Sequence, residues 1–202
     1  MGRSCYIYEN SMMKVHLEQL IRSKVKNPRE SEIQEILDVF EARTYAKGQI
    51  FKKAHTQSTE IGFICSGSTR SFFVRDNGHE ITGAVTQVGN FVADLISIRS
   101  GEQTPICISF LEDTCLLVCP FATAKDLLET NLAFNILIRD HIAERAAQIA
   151  KRMALFLTGS AKERYEFFLQ TNPKLHKKLP LRLIASLIGI TPTQLSRIRN
   201  QK

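Results

Sequence analysis

Apolar positions change period along the chain. Between Ser31 and Ala42, Ile33, Ile36, Leu37 and Phe40 recur at three- and four-residue spacing, which predicts a short amphipathic helix. From Arg43 to Pro120, runs rich in Ile, Phe, Val and Thr are separated by turn signals: Lys47-Gly48, Ser66-Gly67-Ser68, Asp76-Asn77-Gly78, Val88-Gly89-Asn90 and Ser100-Gly101. This texture predicts short antiparallel strands closing into a barrel or jelly roll. Asn77-Gly78 suits a tight hairpin, because both residues tolerate positive φ. From Leu132 to Leu157 the helical period returns over a long stretch. Ile138, Ile142, Ala146, Ile149, Met153 and Phe156 follow one another at 4, 4, 3, 4 and 3 residues, a narrow seam of coiled-coil type. A second set, Phe134, Leu137 and Ala150, is placed to cover the barrel. The seam also fits a core helix within one chain.

Past Gly159-Ser160, which reads as a hinge, Ser160 is an expected N-cap for a helix from Ala161 to Gln170, with Glu163 in the capping-box position. Asn172-Pro173 ends it. Leu179 to Lys202 then carries two short helical patterns around a glycine. Leu183, Ile184, Leu187 and Ile188 give the first an apolar face. Gly189 follows where the chain must turn, Thr191 fits an N-cap, Pro192 the first helical position, and Gln194 completes a Thr-x-x-Gln box. Leu195 and Ile198 face inward, while Thr193, Ser196, Arg197 and Asn200 share the opposite side. That is the geometry of a helix-turn-helix, whose second helix enters a major groove; an ordinary helical hairpin is the plainer alternative.

The string Gly-Ile-Thr-Pro-Thr-Gln-Leu-Ser-Arg-Ile, Gly189 to Ile198, resembles the DNA-binding helices of the Crp/Fnr superfamily of transcription regulators. Lys47-Gly48-Gln49-Ile50-Phe51, then Gly62 to Arg70, then Gly78-His79-Glu80-Ile81, resembles the cyclic-nucleotide-binding jelly roll of the same superfamily. Together they cover roughly residues 31 to 202. The resemblance implies an α+β chain in three parts: an antiparallel jelly-roll sensor over residues 1–130, a dimerisation helix over 131–158, and a helix-turn-helix domain over 159–202. Two departures matter. Many members carry Glu where this chain has Thr193, so the target sequence cannot be transferred. Cyclic-AMP-binding members carry Gly-Glu and, about a dozen residues later, Arg-Ser or Arg-Thr. Here those positions hold Ala93-Asp94 and Thr104-Pro105. The phosphate-pairing arginine is missing and Pro105 lacks an N–H. Ala93, Asp94, Arg99 and Thr104 therefore outline a candidate effector pocket that is not expected to take cyclic AMP.

Composition adds a partner. The 202 residues carry a net charge of +7, and residues 139–202 account for it with 13 Lys/Arg against 4 Asp/Glu; the remainder holds 14 basic and 16 acidic residues. A basic end beside a near-neutral body suits a polyanion, most simply DNA. No apolar run is long enough for a membrane span, and the N-terminus lacks a signal-peptide pattern, so a cytoplasmic location is expected. Tyr6 stands where a myristoylation motif needs Ser or Thr, and Met12 and Met13 are alternative starts.

Cys5, Cys65, Cys107, Cys115 and Cys119 form no Cys-x-x-Cys, and the five histidines are scattered, so neither an iron–sulfur cluster nor a metal site is expected. No nucleophile elbow, Walker loop or cupin histidine pair is present, and no catalysis or cofactor is expected.

These features describe a homodimeric, sequence-specific DNA-binding regulator paired along Ile138, Ile142, Ala146, Ile149 and Met153. Arg197, helped by Thr193 and Gln194, is expected to read bases. Ser196, Arg199, Thr191, Lys178 and Lys202 are expected on phosphates, and RNA polymerase is a further expected partner. The alternative is a ligand-binding or protein-interaction module whose helix-turn-helix no longer reads DNA; the short run after Arg199, without room for a wing strand, keeps it open.

Overall fold

A computed structural model describes the backbone of residues 2–173 and 175–200 and the side chains of 11–173 and 175–200. The chain opens with α1 (Gly2–Lys24) and α2 (Glu30–Val39). Strands follow as β1 (Glu41–Tyr45), β2 (Ile50–Lys52), β3 (Glu60–Ser66), β4 (Ser68–Val74), β5 (Glu80–Gln87) and β6 (Phe91–Val92). After α3 (Leu95–Ser100) come β7 (Cys107–Phe110) and β8 (Thr114–Pro120). The remainder is helical: α4 (Phe121–Thr130), α5 (Leu132–Thr158), α6 (Ala161–Thr171), α7 (Leu175–Lys178), α8 (Leu181–Ile188) and α9 (Pro192–Asn200). Two compact units result, Met1–Phe73 with Val85–His141, and Val74–Ala84 with Ile142–Lys202.

The first unit is built on two four-stranded sheets, ordered β1-β8-β3-β6 and β2-β7-β4-β5. Their strand pairs are antiparallel, as the alternating texture predicts. Alternation along β3 and β8 sends residues to opposite faces. Ile64, Leu116 and Val118 point between the sheets and pack with Val92, Ile108 and Phe110. Tyr45 stacks on Phe110 there, with ring centroids 4.3 Å apart. Ile61, Phe63, Leu117 and Cys119 point the other way, into a core built by α1, α2, α4 and the start of α5. Phe134 and Leu137 join this core as expected, whereas Ala150 is exposed. Ile138 also packs against it and is half-buried.

Two local expectations are refined, and a third element is new. The first helix past residue 29 ends at Val39, so Phe40 caps it and Glu41 and Ala42 already belong to β1. At the β4–β5 hairpin only Gly78 has positive φ, at 77°. Gly78 N–H donates to Arg75 O and Arg75 N–H to His79 O, a wider turn with a glycine bulge, and Asn77 instead accepts from His79 N–H with its side chain. The third is α1, which was not foreseen. Met13, Leu17, Ile21 and Val25 recur every four residues and are buried, Leu17 and Ile21 completely. The Cys65 thiol reaches Met13 O at 3.6 Å.

The four described cysteines are free thiols. Burial pushes Cys65 up to about 12 and Cys119 to about 11, so both stay protonated at neutral pH. Cys5 lies outside the described side chains. No described helix is long and apolar enough to cross a membrane.

Because Leu17 is wholly enclosed while Met12 is 60% exposed, Leu17→Ala is expected to cost about 2–5 kcal/mol and Met12→Ala less than about 0.5. Urea unfolding of the two variants measures the contrast.

Candidate nucleic-acid interface and effector pocket

Around α8 and α9 the local sequence dictates the geometry. Ile184, Ala185, Leu187 and Ile188 on α8 and Leu195 on α9 are buried, with Tyr165 and Phe168 of α6 and Leu175 completing this second core. Gly189 ends α8 in the left-handed region at φ 68°, its N–H donating to Ala185 O and Ser186 O. A methyl group there would also lie only 2.4 Å from the Phe156 ring. Arg164 fixes the same turn: its guanidinium donates to Ile188 O at 3.3 Å and Gly189 O at 3.4 Å, and it lies over Phe156, 5.2 Å from the ring centroid. Ser186 Oγ accepts the Thr82 backbone N–H at 2.8 Å, tying the tip of the β4–β5 hairpin to α8. Neither Arg164 nor Ser186 stood out in the sequence.

The start of α9 has the expected box. Gln194 N–H donates to Thr191 Oγ1 at 3.1 Å, and Gln194 Oε1 accepts from Thr191 N–H at 2.9 Å. Thr193, Gln194, Arg197, Arg199 and Asn200 are exposed, and Ser196 and Ile198 are half-buried. Three- and four-residue spacing puts Thr193, Ser196, Arg197 and Asn200 on one face. Arg199 lies off that face. The Thr191 hydroxyl is engaged by the cap. Lys202 lies outside the described residues. α6 begins with the other expected box, Ser160 N–H donating to Glu163 at 2.7 Å.

Along α5 the stripe is bare: Ile142 is 44% exposed, Ile149 57%, Met153 57% and Phe156 38%, with Ala146 exposed between them.

The candidate pocket is closed from within. Asp94 N-caps α3, accepting Ser97 N–H at 3.2 Å, and its carboxylate also accepts the Thr104 hydroxyl. Lys52, at the end of β2, reaches the same carboxylate at 2.9 Å. Its ammonium also donates to Thr104 Oγ1 at 2.7 Å and to the carbonyls of Thr104 and Ile106. Both side chains are essentially inaccessible. Burial on its own would raise the Asp94 carboxyl; the Thr104 hydroxyl, Lys52 and the Ser97 N–H outweigh it and hold the group below its ordinary range.

The structure thus brings Asp94 and Thr104 together. Arg99 lies exposed in the last turn of α3, and Ala93 packs against the helix-covered core. Lys52 was missed; the signal was a lysine one residue after the apolar pair Ile50-Phe51 of an otherwise apolar strand. Near this loop lies an open recess of about 220 Å³ lined by Phe51, Lys52, Lys53 and Thr56 to Glu60. Among the described residues no three His, Cys, Asp or Glu side chains gather as metal ligands would.

The fold is that of solved regulators. Residues over 81% of the chain match 84% of FixK2 from Bradyrhizobium japonicum, with TM-score 0.67 and 17% identity. A transcriptional regulator of the Crp/Fnr family from Eubacterium rectale matches over 86% of this chain and 82% of its own, with TM-score 0.65 and 18% identity. The CLP regulator of Xanthomonas campestris, described as responsive to c-di-GMP, matches over 86% and 91%, with TM-score 0.66 and 13% identity. No protein-family model matches the sequence, and no curated protein matches it significantly. The chain shares the Crp/Fnr fold.

Lys52→Met is expected to leave Asp94 charged and unpaired in the interior, costing about 3–5 kcal/mol, and Lys52→Met with Asp94→Asn should recover most of that. Because the folded carboxyl lies below its ordinary 3.8, its contribution is complete above that pH and fades as pH falls through the lower folded value. Thermal melts from pH 2 to 6 should therefore show a shallower acid loss in the double variant than in the wild type.

Proposed function

We propose that this chain is a cytoplasmic, homodimeric transcription regulator that reads DNA through α9. The observation that carries the proposal is the outward face of α9, Thr193, Ser196, Arg197 and Asn200, presented on a capped helix whose opposite residue, Leu195, is wholly buried. In a major groove the Arg197 fork matches the two acceptors of a guanine edge, with Thr193 and Gln194 beside it. Arg199, off that face, contacts a phosphate, as do Ser196, Thr191, Lys178 and Lys202. The three-part division, with residues 1–130 as sensor, 131–158 as dimerisation helix and 159–202 as reader, is part of this reading. So is pairing through Ile138, Ile142, Ala146, Ile149 and Met153. The bare apolar stripe of α5 supports that pairing, since an exposed patch of this kind on a soluble helix signals a partner. RNA polymerase is the further partner of such a regulator.

The jelly roll is the sensor, and cyclic AMP is not its effector. The position that would carry a phosphate-pairing arginine holds Thr104, whose hydroxyl is tied to Asp94, and that carboxylate is already satisfied by Lys52.

Pairing is tested by Ile142→Asp with Ile149→Asp, which puts four carboxylates in the middle of a dimer seam; light scattering should then find a monomer. A folded variant that stays dimeric means that α5 does not pair.

Selection from random DNA should return an inverted repeat with half-sites about 10 base pairs apart. Arg197→Ala should cost about 1–3 kcal/mol and relax one guanine per half-site. Arg199→Ala should weaken all sequences alike and flatten the salt dependence. If no sequence is enriched, the interaction-module reading replaces this one.

A further inference from the structure

Arg145 and Arg152 lie seven residues apart on α5, along one edge of its exposed apolar stripe. The helix rise separates them by about 10.5 Å along the axis. Both are half-buried. Among the described residues neither forms an ion pair; the one hydrogen bond between Arg145 and another side chain is a long contact, 3.4 Å, to Gln148 Oε1. The sequence offers no carboxylate from residue 145 to residue 162. Of the two acids earlier on the helix, Asp140 is paired with Arg139, and Glu144, one residue before Arg145, is engaged in a contact of its own. Burial pulls both guanidinium groups below their ordinary range, and the charge of Arg145 lowers Arg152 further. Two partly desolvated cations without a counter-charge are costly to keep beside an apolar surface.

Pairing of α5 with a second copy, the reading on which this inference rests, aggravates the problem. Four guanidinium groups then line one seam. The residues that flank the two arginines on each helix, Ile142, Ile149 and Phe156 on one side and His141, Gln148 and Leu155 on the other, include no acid. Something anionic must enter. The guanidinium fork matches phosphate oxygens in pairs, and four positive charges call for several negative ones.

We propose that the Arg145–Arg152 edge of α5 is an anion site, filled by a small molecule bearing two or more phosphate groups and held between the α5 helices of the dimer.

The probe is sodium tripolyphosphate, titrated calorimetrically into the full-length protein with sodium sulfate as the comparison. Tripolyphosphate should bind in the micromolar range and sulfate far more weakly. Arg145→Gln with Arg152→Gln should weaken tripolyphosphate about tenfold or more, and each single substitution severalfold. Arg197→Ala, on α9, should leave the affinity unchanged, which separates this site from the basic surface of the helix-turn-helix. Equal affinity in the wild type and in the arginine variants would overturn the proposal, as would tripolyphosphate binding no tighter than sulfate. Should the double variant fold poorly by circular dichroism, the single substitutions decide. Light scattering on the same samples reports the dimer independently, so failure of pairing and failure of the anion site give different results.

Discussion

Both faces of the β1-β8-β3-β6 sheet are apolar, and each needs its own cover. Ile64, Leu116 and Val118 are sealed against the second sheet; Ile61, Phe63, Leu117 and Cys119 on the other face require helices. Leaving those four side chains wet would forfeit roughly 1.5–3 kcal/mol each, a large share of a domain's net stability. α1, α2, α4 and the first turns of α5 meet that demand. Where this demand ends, near His141, the character of α5 changes: Phe134 and Leu137 are enclosed, while Ile142, Ile149 and Met153 remain open. One continuous helix therefore has an enclosed first part and an open stripe beyond it.

Much of this was legible because the signals were local. Gly189 with its left-handed φ, the Thr191–Gln194 box and the Ser160–Glu163 box depend on residues at most a few positions apart, and each took the expected form. The barrel was legible for a related reason: glycine-bearing turns punctuate alternating runs. The first helix was not, because its stripe of Met13, Leu17, Ile21 and Val25 is a single row in polar surroundings. Such a row becomes a helix face only when the sheet it covers is known.

The candidate pocket marks a second limit. Sequence alignment of turns brought Asp94 and Thr104 into view, yet their meaning depends on Lys52, 42 residues before Asp94 and delivered by a different strand. Nothing short of the fold could show that the carboxylate already had a cation. Arg164 is similar: its carbonyl partners lie 24 and 25 residues away. Long-range polar contacts of this sort leave no periodic trace.

The capping box at α9 restricts what one of its side chains can say to a base. Gln194 gives its carbonyl oxygen to Thr191, so only its amide hydrogens remain free. A glutamine that recognises adenine needs both ends of the amide, one to accept from N6 and one to donate to N7. Held in the cap, Gln194 keeps only its donors, and adenine N7, guanine O6 and N7 and thymine O4 would all accept from them. On the proposed reading, the residue that secures the helix thereby loses its means of telling one acceptor edge from another.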